Sequence, residues 1–145
     1  MAIAERTASC GWDGDLTHGT GVVSGGSGAL PGLPVTWASR TERSDGKTSP
    51  EELIAAAHAG CFSMALSAEL GKASITPESI ETKCTVTFEK TDAGFTITES
   101  HLDVKARIPG GNKAAFDKAT SDAKAGCPIS RVLNTKITLS ASLEN

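Results

Sequence analysis

The feature that most constrains this chain of 145 residues is one long helix, predicted from Pro50 to about Gly71. Ser49-Pro50-Glu51-Glu52 has the pattern of a capping box, in which the Ser49 hydroxyl accepts from the backbone N–H of Glu52 and the Glu52 carboxylate returns to the backbone of Ser49. Pro50 falls at the first helical position, where its missing N–H costs nothing. Apolar residues then cover most of the circumference, which is typical of a helix buried on nearly all sides. Because AAAHAG (55–60) is rich in small residues, we predict a long buried central helix that faces a second helix.

The segments around this helix indicate an α+β fold, because the predicted strands come in runs separated by helices. The glycine-rich first third is typical of strands joined by tight turns, and a change of phase in the long strand after the 92–94 turn predicts a bulge near 98–101. Predicted strands include 33–40, 80–90 and 137–141, and a second helix spans 112–125 with Asn112 as its N-cap. We therefore predict a single domain over residues 1–145, with an antiparallel sheet and two main helices.

Composition narrows the class of protein. The net charge of −3, with Lys and Arg scattered, argues against nucleic-acid binding. No run approaches the ~18 consecutive apolar residues of a membrane span, and the N-terminus lacks the pattern of a secretory signal. We therefore expect a cytoplasmic protein, in which the four cysteines are reduced, catalytic or redox-active. Since the spacing of the four cysteines contains no C-x-x-C, we expect no metal site.

The four cysteines differ in their surroundings. Cys84 shares a strand face with Val86 and is interpreted as a packed core thiol, whereas Cys10 has no charged neighbour and is interpreted as incidental. Cys61 and Cys127 each follow Ala-Gly, and the pattern leaves open whether they are core thiols or a redox-active pair.

One histidine lies close to the first of that pair. His58 precedes Cys61 by three residues and therefore lies on a neighbouring face of the same helix. It either tunes the thiol of Cys61 or fills a helix contact, and the residues alone leave both interpretations open.

Two long motifs carry a resemblance to a known family. TSPEELIAAAHAGCFSMAL (48–66) and KAGCPISRVL (124–133) resemble the OsmC/Ohr family of thiol-dependent organic hydroperoxide reductases, and the OsmC branch more closely. The resemblance extends over essentially the whole chain, from GWDG in an opening strand to the DAGF hairpin at 92–95. It implies an OsmC-like fold, an intertwined homodimer, and a peroxidase that uses no metal, haem or flavin.

The resemblance also implies a role for four residues. Cys61 matches the peroxidatic cysteine, which becomes a sulfenic acid, and Cys127 matches the resolving cysteine that forms a disulfide with it. Glu51 matches the active-site glutamate. Arg40 matches the arginine that stabilises the thiolate, with Arg43 as the alternative. A dithiol, of lipoyl type in family terms, would recycle the disulfide.

Physical reasoning supports these roles and adds a prediction about assembly. A thiol in apolar surroundings has a raised pKa, and a nearby guanidinium favours the thiolate. Glu51 and Cys61 are ten residues apart on one helix, a rise of roughly 15 Å. Glu51 therefore cannot easily serve the Cys61 of its own chain. We predict a homodimer in which two such helices pack antiparallel and each active site is composite.

Two other functions fit the same residues. A non-enzymatic redox sensor, or a carrier of small apolar ligands, would keep the fold and the thiol pair but consume peroxide poorly. A Cys-His hydrolase would use Cys61 with His58 and would have no need of Cys127.

Overall fold

The computed structural model describes all 145 residues and divides into two compact units, Met1–Leu53 and Ile54–Asn145. The elements are β1 (Ala8–Asp13), β2 (Thr20–Gly25), β3 (Pro31–Val35), α1 (Trp37–Thr41), α2 (Pro50–Lys72), β4 (Ser79–Thr91), β5 (Gly94–Arg107), α3 (Lys113–Gly126), α4 (Pro128–Val132) and β6 (Lys136–Glu144). The helix α2 begins in the first unit and continues into the second. This mixture of helices and two small sheets confirms the predicted α+β class.

The first unit is an antiparallel meander, β1-β2-β3, followed by the short helix α1. Gly21 on β2 lies against the ring of Trp12, and a Cβ at this glycine would come within 2.7 Å of that ring. The prediction of a strand over 33–40 is wrong beyond Val35. The chain turns into α1 there, because Thr36 accepts from the backbone N–H of Ser39 and the Ser39 hydroxyl accepts from the backbone N–H of Thr36, which completes a capping box.

The second unit contains a three-stranded sheet in the order β4-β5-β6. β4 and β5 form an antiparallel hairpin, but β6 runs parallel to β5, so the prediction of one antiparallel sheet is wrong. The reason is the connection: α3 and α4 lie between β5 and β6 in the chain, and a helical crossover brings the next strand back in a parallel direction. The predicted bulge is confirmed. Thr87 pairs with Glu99 and the next residue, Phe88, pairs with Ile97, so the extra residue on β5 is at position 98, the first of the predicted range 98–101.

The core of the second unit lies between α2, α3 and one face of this sheet. Phe62, Leu66 and Leu70 form a fully buried stripe on α2, spaced four residues apart. They join β5 residues Leu102, Val104 and Ala106, the following Ile108, and α3 residues Phe116, Ala119 and Ala123. Burial of each large side chain contributes about 1.5–3 kcal/mol, so this cluster fixes α2 on the sheet.

The ends of α2 only partly follow the sequence pattern. The Ser49 hydroxyl accepts from the backbone N–H of Glu52, as predicted, but the Glu52 carboxylate accepts from the Thr48 hydroxyl at 2.6 Å. The helix continues to Lys72 and does not stop at Gly71. Ser74 adopts the left-handed conformation with φ of 60°, and the N–H of Ile75 donates to the carbonyl of Leu70, as in a Schellman motif.

The circumference of α2 is not buried all round in the single chain. Opposite the core stripe, Ala56, Ala57 and Gly60 are exposed, and Met64 is 72% exposed. By length and composition α2 could also cross a membrane, but the core helix of a soluble protein passes the same test, and the Phe62 stripe belongs to the protein core. The exposed face is the part of the helix that the prediction assigned to a second helix.

Candidate active site

An arginine–glutamate pair lies within the first unit. Arg40 stands in the last turn of α1 and Glu51 in the first turn of α2. The Arg40 Nε donates to Glu51 Oε1 at 2.9 Å, and a terminal guanidinium nitrogen of Arg40 lies 2.8 Å from the same oxygen. The Glu51 side chain is only 8% exposed, and that of Arg40 is 32% exposed. The carboxylate therefore orients the guanidinium while leaving part of it accessible.

The other candidate arginine has a different position. Arg43 is 86% exposed, and its nearest acidic partner is Asp45 at 3.9 Å, a surface pair of little energetic value. The structure thus brings Glu51 together with Arg40 and not with Arg43.

A cavity of about 300 Å³ lies beside this pair, between the meander, α1 and the start of α2. Its walls are mostly apolar, and Arg40 is the charged residue among them. The lining residues are Cys10, Trp12, Leu16, Val23, Val35, Thr36, Trp37, Arg40, Pro50 and Leu53. Such a space suits an apolar group whose polar end reaches the guanidinium.

The second unit brings Cys61 and Cys127 into contact. Their Sγ atoms are 2.7 Å apart, and neither cysteine is in a disulfide. Cys127 is fully buried at the junction of α3 and α4, where Pro128 prevents the continuation of α3. Cys61 is half-buried on α2. Two thiols this close need little movement to form an S–S bond of about 2.05 Å.

The surroundings of Cys61 within this unit disfavour its thiolate. Burial raises the pKa of the Cys61 thiol, and the hydrogen bond with Cys127 raises it further, while the backbone N–H of Ile129 lowers it. No cation is among the groups that set this pKa. The thiol therefore needs a positive charge from elsewhere in order to become a good nucleophile at neutral pH.

A buried polar cluster surrounds His58, and the sequence did not reveal it. The His58 side chain is fully buried, and its Nδ1 and Nε2 atoms lie 2.7 Å from the hydroxyls of Ser100 and Ser130 respectively. Cys84 Sγ lies 3.2 Å from the Ser100 hydroxyl and 3.9 Å from His58 Nδ1. Burial lowers the pKa of His58, which is therefore neutral at pH 7, and burial raises the pKa of the Cys84 thiol.

This cluster settles what His58 contacts. Both ring nitrogens are committed to serine hydroxyls, which leaves neither for Cys61. The sequence signal that could have found one partner is Ser100, a polar residue in the inward phase of β5 together with Leu102 and Val104. Ser130 gave no such signal, because α4 is too short to show a period. No group of three His, Cys, Asp or Glu side chains is arranged to hold a metal ion.

Comparison with known proteins shows which family and which relatives this chain resembles. Residues 43–142 match the family described as OsmC-like protein. The chain is 48% identical over 134 residues to the protein named Peroxiredoxin OsmC of Escherichia coli (strain K12), which covers 92% of this chain and 93% of that protein.

Solved structures share the fold. The organic hydroperoxide resistance protein OhrB of Bacillus subtilis matches with a TM-score of 0.72 and 22% identity, covering 95% of this chain and 98% of that chain. An organic hydroperoxide resistance protein OsmC from Legionella pneumophila matches with a TM-score of 0.72 and 23% identity, covering 100% of both chains.

Proposed function

This chain belongs to the OsmC-like protein family, and we propose that it is a thiol-dependent peroxidase that reduces organic hydroperoxides to alcohols. The observation that carries the proposal is the 2.7 Å contact between the Sγ atoms of Cys61 and Cys127. The name of the Escherichia coli relative, a peroxiredoxin, supports the same activity. So do the names of the two proteins whose solved structures share the fold, since both are organic hydroperoxide resistance proteins.

The reaction has two steps at sulfur. The Cys61 thiolate attacks the terminal oxygen of the hydroperoxide, the O–O bond breaks, and the alkoxide leaves with a proton as the alcohol, which gives a Cys61 sulfenic acid. Cys127 then attacks the Cys61 sulfur, water leaves, and a disulfide forms. An external dithiol supplies two electrons by thiol–disulfide exchange and restores both thiols. The family resemblance implies that this dithiol is of lipoyl type.

Arg40 is proposed to activate Cys61, with Glu51 as the residue that positions it. A guanidinium beside the sulfur offsets the burial that raises the pKa of Cys61. The 300 Å³ cavity next to Arg40 would take the apolar tail of the peroxide, which favours alkyl or acyl hydroperoxides over hydrogen peroxide.

We further propose a homodimer in which Arg40 and Glu51 of one chain serve Cys61 of the other. The exposed face of α2 supports this arrangement, because Ala56, Ala57 and Gly60 leave room for a second backbone and Met64 would otherwise stay in water. A Cβ at Gly60 would meet no atom within 4 Å. Two copies of α2 packed antiparallel would cover this face and bring the start of one helix to the middle of the other.

The alternatives make different demands on the same residues. A Cys-His hydrolase is disfavoured because His58 is engaged by Ser100 and Ser130. A redox sensor or a carrier of apolar ligands remains compatible with the thiol pair and the cavity, and catalytic turnover with a dithiol distinguishes a peroxidase from both. We place the soluble protein in the cytoplasm, where free thiols persist.

The test is a single oxidation followed by peptide mapping. The protein is reduced without oxygen, treated with one equivalent of cumene hydroperoxide, alkylated and digested. We expect a Cys61–Cys127 disulfide, no reaction in Cys61→Ser, and in Cys127→Ser one oxidation to a sulfenic acid without dithiol-dependent turnover. Cys84→Ala is the matched control, because it removes a third partly buried thiol, and it should keep the disulfide. Undiminished turnover in Cys61→Ser or Cys127→Ser would refute the mechanism.

A further inference from the structure

The helix α4 is attached to the rest of the protein in an unusual way. It has five residues, Pro128–Val132, and its buried residue is the polar Ser130; Val132 is 72% exposed. A one-turn helix with so little apolar burial is weakly held by hydrophobic packing. Because Cys127 directly precedes α4 and is its N-cap, whatever fixes α4 also fixes this cysteine.

The same two segments meet at three consecutive points. The Sγ atoms of Cys61 and Cys127 are in contact at 2.7 Å. The backbone of Ile129, in the first turn of α4, is near enough to the Cys61 thiol to lower its pKa. One turn back on α2, His58 Nε2 is hydrogen-bonded to the Ser130 hydroxyl at 2.7 Å. His58 precedes Cys61 by three residues and Ser130 follows Cys127 by three, so the hydrogen bond runs beside the sulfur contact and links the same two elements.

We propose that His58 and Ser130 are positioning residues for the second step of catalysis: their hydrogen bond holds α4 on α2 and keeps Cys127 in reach of the oxidised Cys61. This inference rests on the proposed function and extends it to residues outside the reacting thiols. The bond matters most after the first step, when the new oxygen on Cys61 must be accommodated and the sulfur contact alone no longer fixes the turn.

The burial of His58 explains why a histidine suits this role. The ring is fully buried and uncharged, so it presents one donor and one acceptor, and Ser100 on β5 takes the nitrogen that Ser130 does not. The imidazole therefore bridges the sheet and α4 through α2. Loss of a buried bond of this kind costs more than loss of a solvated one, because the partner stays unsatisfied.

A delay in the second step has a chemical consequence that can be measured. The Cys61 sulfenic acid partitions between attack by Cys127, which gives the disulfide and water, and attack on a second hydroperoxide, which gives the sulfinic acid and another alcohol. Slower attack by Cys127 therefore raises the yield of sulfinic acid at a fixed peroxide concentration. The rate at which the first hydroperoxide is consumed does not change.

The test compares Ser130→Ala with Ser100→Ala. Both variants remove a buried serine hydroxyl that lies 2.7 Å from His58, but only Ser130 lies on α4. Reduced protein is mixed rapidly with cumene hydroperoxide, and peroxide loss, disulfide formation and sulfinic acid are followed by quenching and mass spectrometry. For Ser130→Ala we expect disulfide formation to slow about tenfold, the equivalent of about 1.4 kcal/mol or one hydrogen bond, with sulfinic acid rising in proportion. Peroxide loss should stay within about twofold. Ser100→Ala should match the wild type in peroxide loss, in disulfide formation and in the yield of sulfinic acid.

A second pair of variants keeps the inference testable if a serine variant folds poorly. In His58→Gln the side-chain amide reaches the place of Nε2, toward Ser130, and in His58→Asn it reaches the place of Nδ1, toward Ser100. We expect normal disulfide formation in the Gln variant and slow formation in the Asn variant. Equal rates in both members of either pair would overturn the positioning role. Absence of a Cys61–Cys127 disulfide in the wild type would overturn the proposed function itself.

Discussion

The proposed composite site makes a strong prediction about Arg40. Replacement of Arg40 by Ala should remove the charge that activates Cys61, and the loss should be repaired by a second chain that carries Arg40 but lacks the thiol. Along α2 the rise from Glu51, which holds Arg40, to Cys61 is about 15 Å. At an effective dielectric of 20, a charge about 15 Å from a thiolate stabilises it by about 1 kcal/mol, against about 4 kcal/mol for a charge about 4 Å away.

The magnitude follows from these two distances. If the partner's guanidinium acts at contact distance, Arg40→Ala should remove about 4 kcal/mol of thiolate stabilisation, which is about a thousandfold in the rate of Cys61 oxidation at pH 7. An arginine acting over about 15 Å would account for only about 1 kcal/mol, or about fivefold. Arg43→Ala should keep full activity, because Arg43 is exposed and pairs only loosely with Asp45.

The assay uses heterodimers of Arg40→Ala and Cys61→Ser chains, purified through two different affinity tags. In such a dimer, one site combines an intact Cys61 with an intact Arg40 from the other chain, and the second site has neither. We expect half of the wild-type dithiol-dependent activity with cumene hydroperoxide, whereas each mutant homodimer is nearly inactive. A heterodimer no more active than the Arg40→Ala homodimer would refute an arginine supplied by the partner.

Three further predictions concern stability, each measured by urea unfolding. Burial lowers the pKa of His58 below 6.5, so the contribution of neutral His58 to stability is complete above pH 6.5 and is lost as the pH falls toward the lowered pKa. Over that range the free energy of unfolding of the wild type should fall by up to about 1.4 kcal/mol per pH unit more steeply than that of His58→Gln. Equal slopes in the two proteins would contradict this. Ser74→Gly should gain about 0.5–1 kcal/mol, because glycine adopts a φ of 60° without strain, and a loss would count against the helix end described above. Phe62→Ala should lose about 3–5 kcal/mol through the cavity it leaves in the core, while Ile3→Ala, at a fully exposed side chain, should change stability by less than about 0.5 kcal/mol.

The fold was predictable where local chemistry agrees with the tertiary environment. The start of α2, the Asn112 cap of α3 and the bulge in β5 all depend on residues close in sequence, and the structure has all three. The strand prediction failed at residues 37–40, because the Thr36–Ser39 capping box starts the helix α1 there in spite of the alternating pattern. The prediction that β6 is antiparallel to its neighbour failed, because the direction of a strand depends on the path of the whole connection before it, which no local pattern encodes.

The candidate site also has features that the sequence predicts and features that only the tertiary structure shows. The sequence by itself determined the family, through two motifs of fixed length, and named Cys61, Cys127, Arg40 and Glu51 as residues to watch. Only the tertiary structure decided that Arg40 and not Arg43 contacts Glu51, that Cys61 and Cys127 touch, and that His58 joins Ser100 to Ser130. The physical reason is separation along the chain: His58 and Ser130 are 72 positions apart, and hydrogen bonds of that kind depend on how helices pack on a sheet, which a residue pattern does not specify.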